Sequence, residues 1–258
     1  MSHEKNVSKG QDIIKFGVTA AVGGSLGIAS YLSNGASDAF AVGIANTVMP
    51  LLLDCGQRHL SPRETTRIDT VTSLSIKEIK VHLDEGHLPR LDDFFNESIN
   101  LNSSASELWE GIYEITRTEH EQSKLEFIAY LNASIPFLTI SRGEANRLIQ
   151  QIEVLTYRKM CILAALSQAA NQVLRDKCIS KQEGSDELGD IMQDCFELEQ
   201  MGLLQEPSSQ SPAYGTHSWL YVVPSELKAT KYGKRMVELA KLHRISKGDV
   251  EEIYQLMS

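Results

Sequence analysis

Signatures of catalytic machinery are missing from this sequence. It has no strand-to-helix nucleophile elbow, no phosphate loop ending in GK[ST], no GxGxxG dinucleotide turn and no HExxH pair. The chain is therefore read as non-enzymatic, with no catalytic residue assigned. Cysteine is scarce too. Cys55, Cys161, Cys178 and Cys195 stand far apart and form no CxxC pair, which argues against a zinc ribbon or a disulfide framework. The four thiols read as buried apolar groups in a reducing compartment, and neither a cofactor nor a metal is expected. Positive charge is also short, since 25 Lys and Arg face 34 Asp and Glu for a net charge of −9. That balance disfavours general attraction to nucleic acid or to anionic lipid, although a local patch can differ. What is present is ordinary for a folded chain. Hydrophobic residues make up 42% and charged residues 23%, and 258 residues suffice for two modest cores.

The amino-terminal part is unusual. Residues 13 to 32 form a twenty-residue run with Lys15 as its single charge, which is the length of a bilayer span. A polar turn, Ser33 to Asp38, leads to a second apolar run, Ala39 to Leu53, closed by Asp54. This pattern predicts a helical hairpin over residues 1–58. Lys5 and Lys9 precede it and Arg58, Arg63 and Arg67 follow it, as the positive-inside bias would place a re-entering pair. Gly23, Gly24 and Gly27 supply small residues for close helix approach, and Leu51 and Leu52 end the second arm. Those five residues are the candidates for membrane contact or assembly. The run is nevertheless rich in Gly, Ala, Ser and Thr, and its second arm is too short to span. A hairpin buried in the protein, or on oligomerisation, is the preferred alternative. An export signal is not expected, because the strongly basic start and the cleavage site are lacking. The expected location is cytoplasmic, with inner-membrane association through residues 13–53 as the variant.

A helical body is expected over residues 59–154. Ser61, Pro62 and Glu64 form a helix start with a capping box, and Ile68, Val71, Leu74, Ile76, Ile79 and Leu83 mark one apolar face until Gly86. A shorter helix after Pro89 would bury Leu91, Phe94, Phe95 and Ile99, and Asn100 to Ser106 reads as a loop. From Ser106 to about Ala133 the pattern predicts one long helix. Glu110, Glu114, Glu119, His120 and Glu121 lie along it, but a di-metal bundle needs Glu-x-x-His units and Arg117 stands three residues before His120. A solvated face is the expected reading. His82, Glu85 and His87 likewise read as helix-end and loop residues rather than ligands. Ser141 with Glu144 starts the next helix, and Thr156 another.

Residues 155–258 resemble a winged-helix domain in the spacing of their parts. A first apolar helix carries Met160, Ile162, Leu163 and Leu166, and a polar break covers Ser180 to Ser185. A helix from Asp186 to Met201 then ends in Gly202, Leu203 and Leu204. A strand-like Trp219 to Val223 precedes Thr230, Gly233 and Leu239 in the T-x-x-G-x-x-x-x-x-L phrase typical of winged-helix regulators. A short helix between the first and third is not evident. The resemblance implies a mainly α fold, a helical amino-terminal bundle followed by an α unit with a small β wing. Charge argues against groove reading by its central helix. Asp186, Glu187, Asp190, Asp194, Glu197 and Glu199 lie on it with no basic residue. The basic residues come later, as Lys228, Lys231, Lys234, Arg235, Lys241 and Arg244, which are candidates for contact with a partner or with nucleic-acid backbone. Tyr214, His217, Trp219 and Tyr221 are a candidate aromatic partner surface at the wing.

The order of parts, together with Glu107, Leu108, Trp109 and Lys124 to Leu131 in the phrase ELWEGIYEITRTEHEQSKLEFIAYL, resembles bacterial and prophage proteins related to the abortive-infection alpha group. That resemblance implies a phage-exclusion factor that binds a host or phage protein or perturbs the inner membrane. A homo-oligomer is compatible with it. A nucleic-acid-binding regulator using the basic carboxyl-terminal helices is the alternative.

Overall fold

The computed structural model describes residues 31–32, 40–48, 60–90, 92–95, 103–168, 173–178, 186–206 and 219–258. These are mainly helical, and they fall into two units, residues 1–153 and 154–258.

The first unit is built on α1 (Pro62–Asp84), α2 (Ser104–Thr118), α3 (Leu125–Ser134) and α4 (Arg142–Val154). The start of α1 follows from its first four residues: the Ser61 hydroxyl accepts from the Glu64 N–H, while the Glu64 carboxylate accepts from the Ser61 N–H at 2.8 Å. Its apolar stripe packs against α3 and α2. Polar side chains inside that contact find partners across it. Thr72 donates to the Tyr113 hydroxyl at 3.1 Å, Ser75 to the Ala129 carbonyl at 3.2 Å, and Asn132 to the Ser75 hydroxyl at 3.2 Å. The helical segment 40–48 shares this core. Phe40, Ala41, Ile44, Ala45 and Val48 are buried together with Ile68, Ile76, Ile79 and Trp109.

The single long helix expected from Ser106 to Ala133 is instead two. Ser103 rather than Ser106 caps α2, which ends at Thr118, and α3 begins only after a 3-10 turn, Gln122–Lys124. The physical reason is Glu119, which adopts extended backbone geometry and is buried rather than solvated. Its carboxylate pairs with the buried Lys124 ammonium and accepts from the Glu121 N–H at 2.9 Å. Lys124 also donates to the Glu153 carbonyl at 3.1 Å. Burial alone would raise the Glu119 pKa, but the hydrogen bonds from Lys124 and the Glu121 amide hold it below the usual carboxylate range. After Pro89 the described residues show a 3-10 turn, Asp93–Phe95, with Phe94 buried; most of the expected short helix lies outside the described residues. Leu91 and Ile99 lie outside the described residues.

The second unit contains α5 (Tyr157–Gln168), α6 (Asp186–Gln200), α7 (Lys231–Leu239) and α8 (Lys247–Met257). Strands β1 (Leu204–Gln205) and β2 (Lys228–Ala229) pair antiparallel, with Leu204 opposite Ala229 and Gln205 opposite Lys228. Helix α5 is the apolar centre: every residue from Lys159 to Leu166 is buried. Tyr254 of α8 donates to the Ala165 carbonyl at 2.7 Å, and Tyr157 to the Asp249 carboxylate at 2.7 Å, which ties α8 onto α5. Thr230 caps α7 by accepting from the Gly233 N–H at 2.9 Å, and donates to the Gly202 carbonyl at 2.7 Å. The expected strand over Trp219 to Val223 is not formed. Trp219–Tyr221 is a 3-10 turn whose indole packs over Gly189 of α6. Cys161 and Cys195 are buried as expected, whereas Cys178 is exposed and Cys55 lies outside the described residues.

Candidate functional site

The basic residues singled out in the second unit follow one another along the chain. From Lys228 to Lys247 seven Lys and Arg face one acidic residue, Glu238. Helix α7 is short and strongly two-sided, with Gly233, Met236, Val237 and Leu239 turned inward. The opposite face therefore carries Lys231, Lys234 and Glu238 into solvent, with Arg235 half-buried beside them. Lys228 is exposed on β2 because its neighbour Ala229 takes the buried side of the strand. Beyond the helix, Lys241 adopts a left-handed conformation (φ 52°), and Arg244 follows, exposed. Lys228, Lys231 and Lys234 make no ion pair among the described residues.

The acidic helix α6 behaves differently. Asp194 is buried and accepts from Arg158 Nε of α5 at 2.5 Å; Glu197 accepts from the Lys159 ammonium at 2.5 Å and from Gln193 at 2.9 Å. The Asp194 hydrogen bond, opposed by burial, raises the Arg158 pKa, while the bonds from Gln193 and Lys159 lower that of Glu197. Two of the six carboxylates thus close on α5 rather than facing outward. Asp186, Glu187 and Asp190 remain exposed, with Asp190 3.9 Å from Arg158.

Of the aromatic candidates, Trp219 is half-buried over α6 and Tyr221 is exposed, while Tyr214 and His217 lie outside the described residues. Gly23, Gly24, Gly27, Leu51 and Leu52 lie outside them as well. The described part of the second apolar run, 40–48, is core of the first unit. No helix among the described residues is long and apolar enough to cross a membrane.

One feature escaped sequence reasoning, and a second was read there as helix-end and loop residues. An open pocket of about 420 Å³ is lined by Pro62, Arg63, Thr66, Arg67, His120 and Gln122. It joins the start of α1 to the α2–α3 corner, and its guanidinium and imidazole groups suit a small anion. Residues so far apart leave no local signal. The second feature is the trio His82, Glu85 and His87, whose ligand atoms lie within 4.8 Å of one another. Here a signal existed, in the pattern H-x-x-E-G-H across the end of α1.

Comparison with protein-family models, curated proteins and solved structures finds no match for this chain.

Proposed function

We propose that this chain is a non-enzymatic interaction protein whose second unit is a winged-helix-like module turned to partner binding. Its exposed lysines, Lys228, Lys231 and Lys234, take an acidic surface of a protein partner. One observation carries this reading. The helix that would enter a DNA groove in such a module has carboxylates where a reader needs cations, and Asp194 and Glu197 are closed onto Arg158 and Lys159. Lys228, Lys231 and Lys234, without an ion pair among the described residues, lie instead on β2 and α7. Opposed charges at an interface speed encounter and set orientation, so an acidic partner fits this face. A second copy is one such partner, since Asp186, Glu187 and Asp190 are exposed on α6. The resemblance to abortive-infection proteins points to phage exclusion as the setting.

The test is capture from infected and uninfected cells with the full chain and with the Lys231→Glu/Lys234→Glu variant. An acidic protein held by the native chain and released by the variant supports the reading; equal capture by both overturns it. The same exposed lysines favour one other reading, binding to nucleic-acid backbone. That reading requires duplex binding that falls steeply with salt and is lost in the same variant.

A further inference from the structure

We propose that His82, Glu85 and His87 form a binding site for a divalent first-row transition cation, with zinc as its reference ion. The site is made by the way α1 ends. Gly86 takes a left-handed conformation (φ 81°), the Gly86 N–H donates to the Leu83 carbonyl at 3.0 Å, and the His87 N–H donates to the His82 carbonyl at 2.9 Å. This paired bonding closes the helix and folds the side chain of the residue after the glycine onto one a turn earlier, a contact that is commonly apolar.

The same protein contains the apolar version. At the end of α6, Gly202 (φ 71°) donates to Glu199 at 2.8 Å and Leu203 to Leu198 at 2.9 Å. Leu198 and Leu203 are both fully buried there. At the end of α1 the equivalent positions hold two imidazoles. Their Nδ1 atoms face each other at 2.8 Å, and Glu85 Oε2 stands 3.8 Å from His87 Nδ1. Two imidazoles and a carboxylate are a donor set for a transition cation.

Position and support agree with that chemistry. The trio sits at the negative end of a 23-residue helix, where a cation is favoured. The Phe137 ring backs both imidazoles, 4.9 Å from His82 and 6.5 Å from His87. The chain beyond is tethered, because the Arg90 N–H donates to the Pro136 carbonyl at 3.0 Å. Without a cation, one Nδ1–H donates to the other ring. With a cation, both rings carry their proton on Nε2 and present Nδ1 lone pairs. Ligand nitrogens about 2.0–2.1 Å from a metal stand about 3.3 Å apart on a tetrahedron, so the rings part by about half an ångström on binding. His87 and Glu85 are more than half exposed, which leaves the remaining coordination to water.

The experiment is a calorimetric titration of the chelator-treated full chain with zinc, repeated with cobalt and read by its visible absorption. The native chain is expected to bind one equivalent that depends on this site. His87→Ala should weaken that binding tenfold or more, Glu85→Gln should weaken it less, and His120→Ala should leave it unchanged. Thermal melts of the metal-free variants confirm that the fold is kept, since both replaced side chains at the site are exposed. Absence of saturable binding at about 1 mM zinc, far weaker than such donor sets allow, overturns the proposal. Native affinity in His87→Ala overturns it equally, and native affinity in Glu85→Gln overturns the three-ligand assignment.

Discussion

Gly233 lies against the carbonyl oxygen of Leu203: a Cβ built on Gly233 would stand 2.0 Å from that oxygen. Backbone, not a flexible side chain, blocks the space, and Leu203 is fixed there by the Thr230 N–H at 3.0 Å. Gly233→Ala is therefore expected to destabilise the second unit by about 3 kcal/mol, the upper range for overpacking. Urea unfolding measures it. Gly86→Ala is the contrast. Its φ is 81° with nothing within 4 Å of the new Cβ, so only conformational strain of about 1 kcal/mol is expected.

Lys124 and Glu119 form an ion pair with both side chains almost wholly buried. Lys124→Met leaves the carboxylate buried without its cation and should cost about 3–5 kcal/mol, whereas Lys124→Met with Glu119→Leu should restore much of that loss. Acid should act on the same pair. The Glu119 pKa is lowered in the folded chain, so its stabilisation is present above the unfolded value near 4.5 and is lost as pH falls through the folded value. Thermal melts between neutral pH and pH 3 should show the native chain losing stability in that window, and the doubly substituted chain losing less.

The carboxylates of α6 should divide sharply by place. Asp194→Ala removes a buried partner of Arg158 and is expected to destabilise by about 2 kcal/mol, while Asp186→Ala at an exposed position should stay within about 0.5 kcal/mol. Equal effects in urea titrations would contradict the assignment of Asp194 to the interior.

Ile44 is fully buried in the core of the first unit. Ile44→Ala should lower stability by about 2–4 kcal/mol, the usual range for a buried truncation. Deletion of residues 1–54 should go further, exposing Trp109 and Ile76 and broadening the melt of the remaining chain. A truncated protein that melts as sharply as the native one would count against that core.

Thiol reactivity should follow burial. Burial pushes the Cys161 thiol up to about 12, and Cys195 higher still, whereas Cys178 is exposed. Brief treatment with iodoacetamide followed by peptide mapping should find Cys178 modified and Cys161 and Cys195 intact.

The helix starts at Ser61 with Glu64, at Ser141 and at Thr156 were legible because capping is a local matter: each accepts from a backbone N–H three residues on. The stretch from Ser106 to Ala133 was misjudged for the opposite reason. Its periodicity continues across a corner that depends on Lys124 pairing with Glu119 while also reaching the carbonyl of Glu153, a contact 29 residues on that no short window contains. Trp219 to Val223 has strand composition, yet the indole is drawn onto Gly189 and the backbone turns.

By itself, then, the sequence determined the helical class, several helix boundaries set by caps and glycines, and the sites of charge along the chain. Those properties depend on neighbours a turn or less away. Tertiary structure alone decided which charges are neutralised and which are left outward. Arg158 lies 36 residues from Asp194, yet their pairing turns part of an acidic helix into packing surface and leaves the lysines of β2 and α7 exposed. The reason is physical: a charge's role depends on what surrounds it in space, and at such separations the chain path is fixed only when the core of that unit is buried.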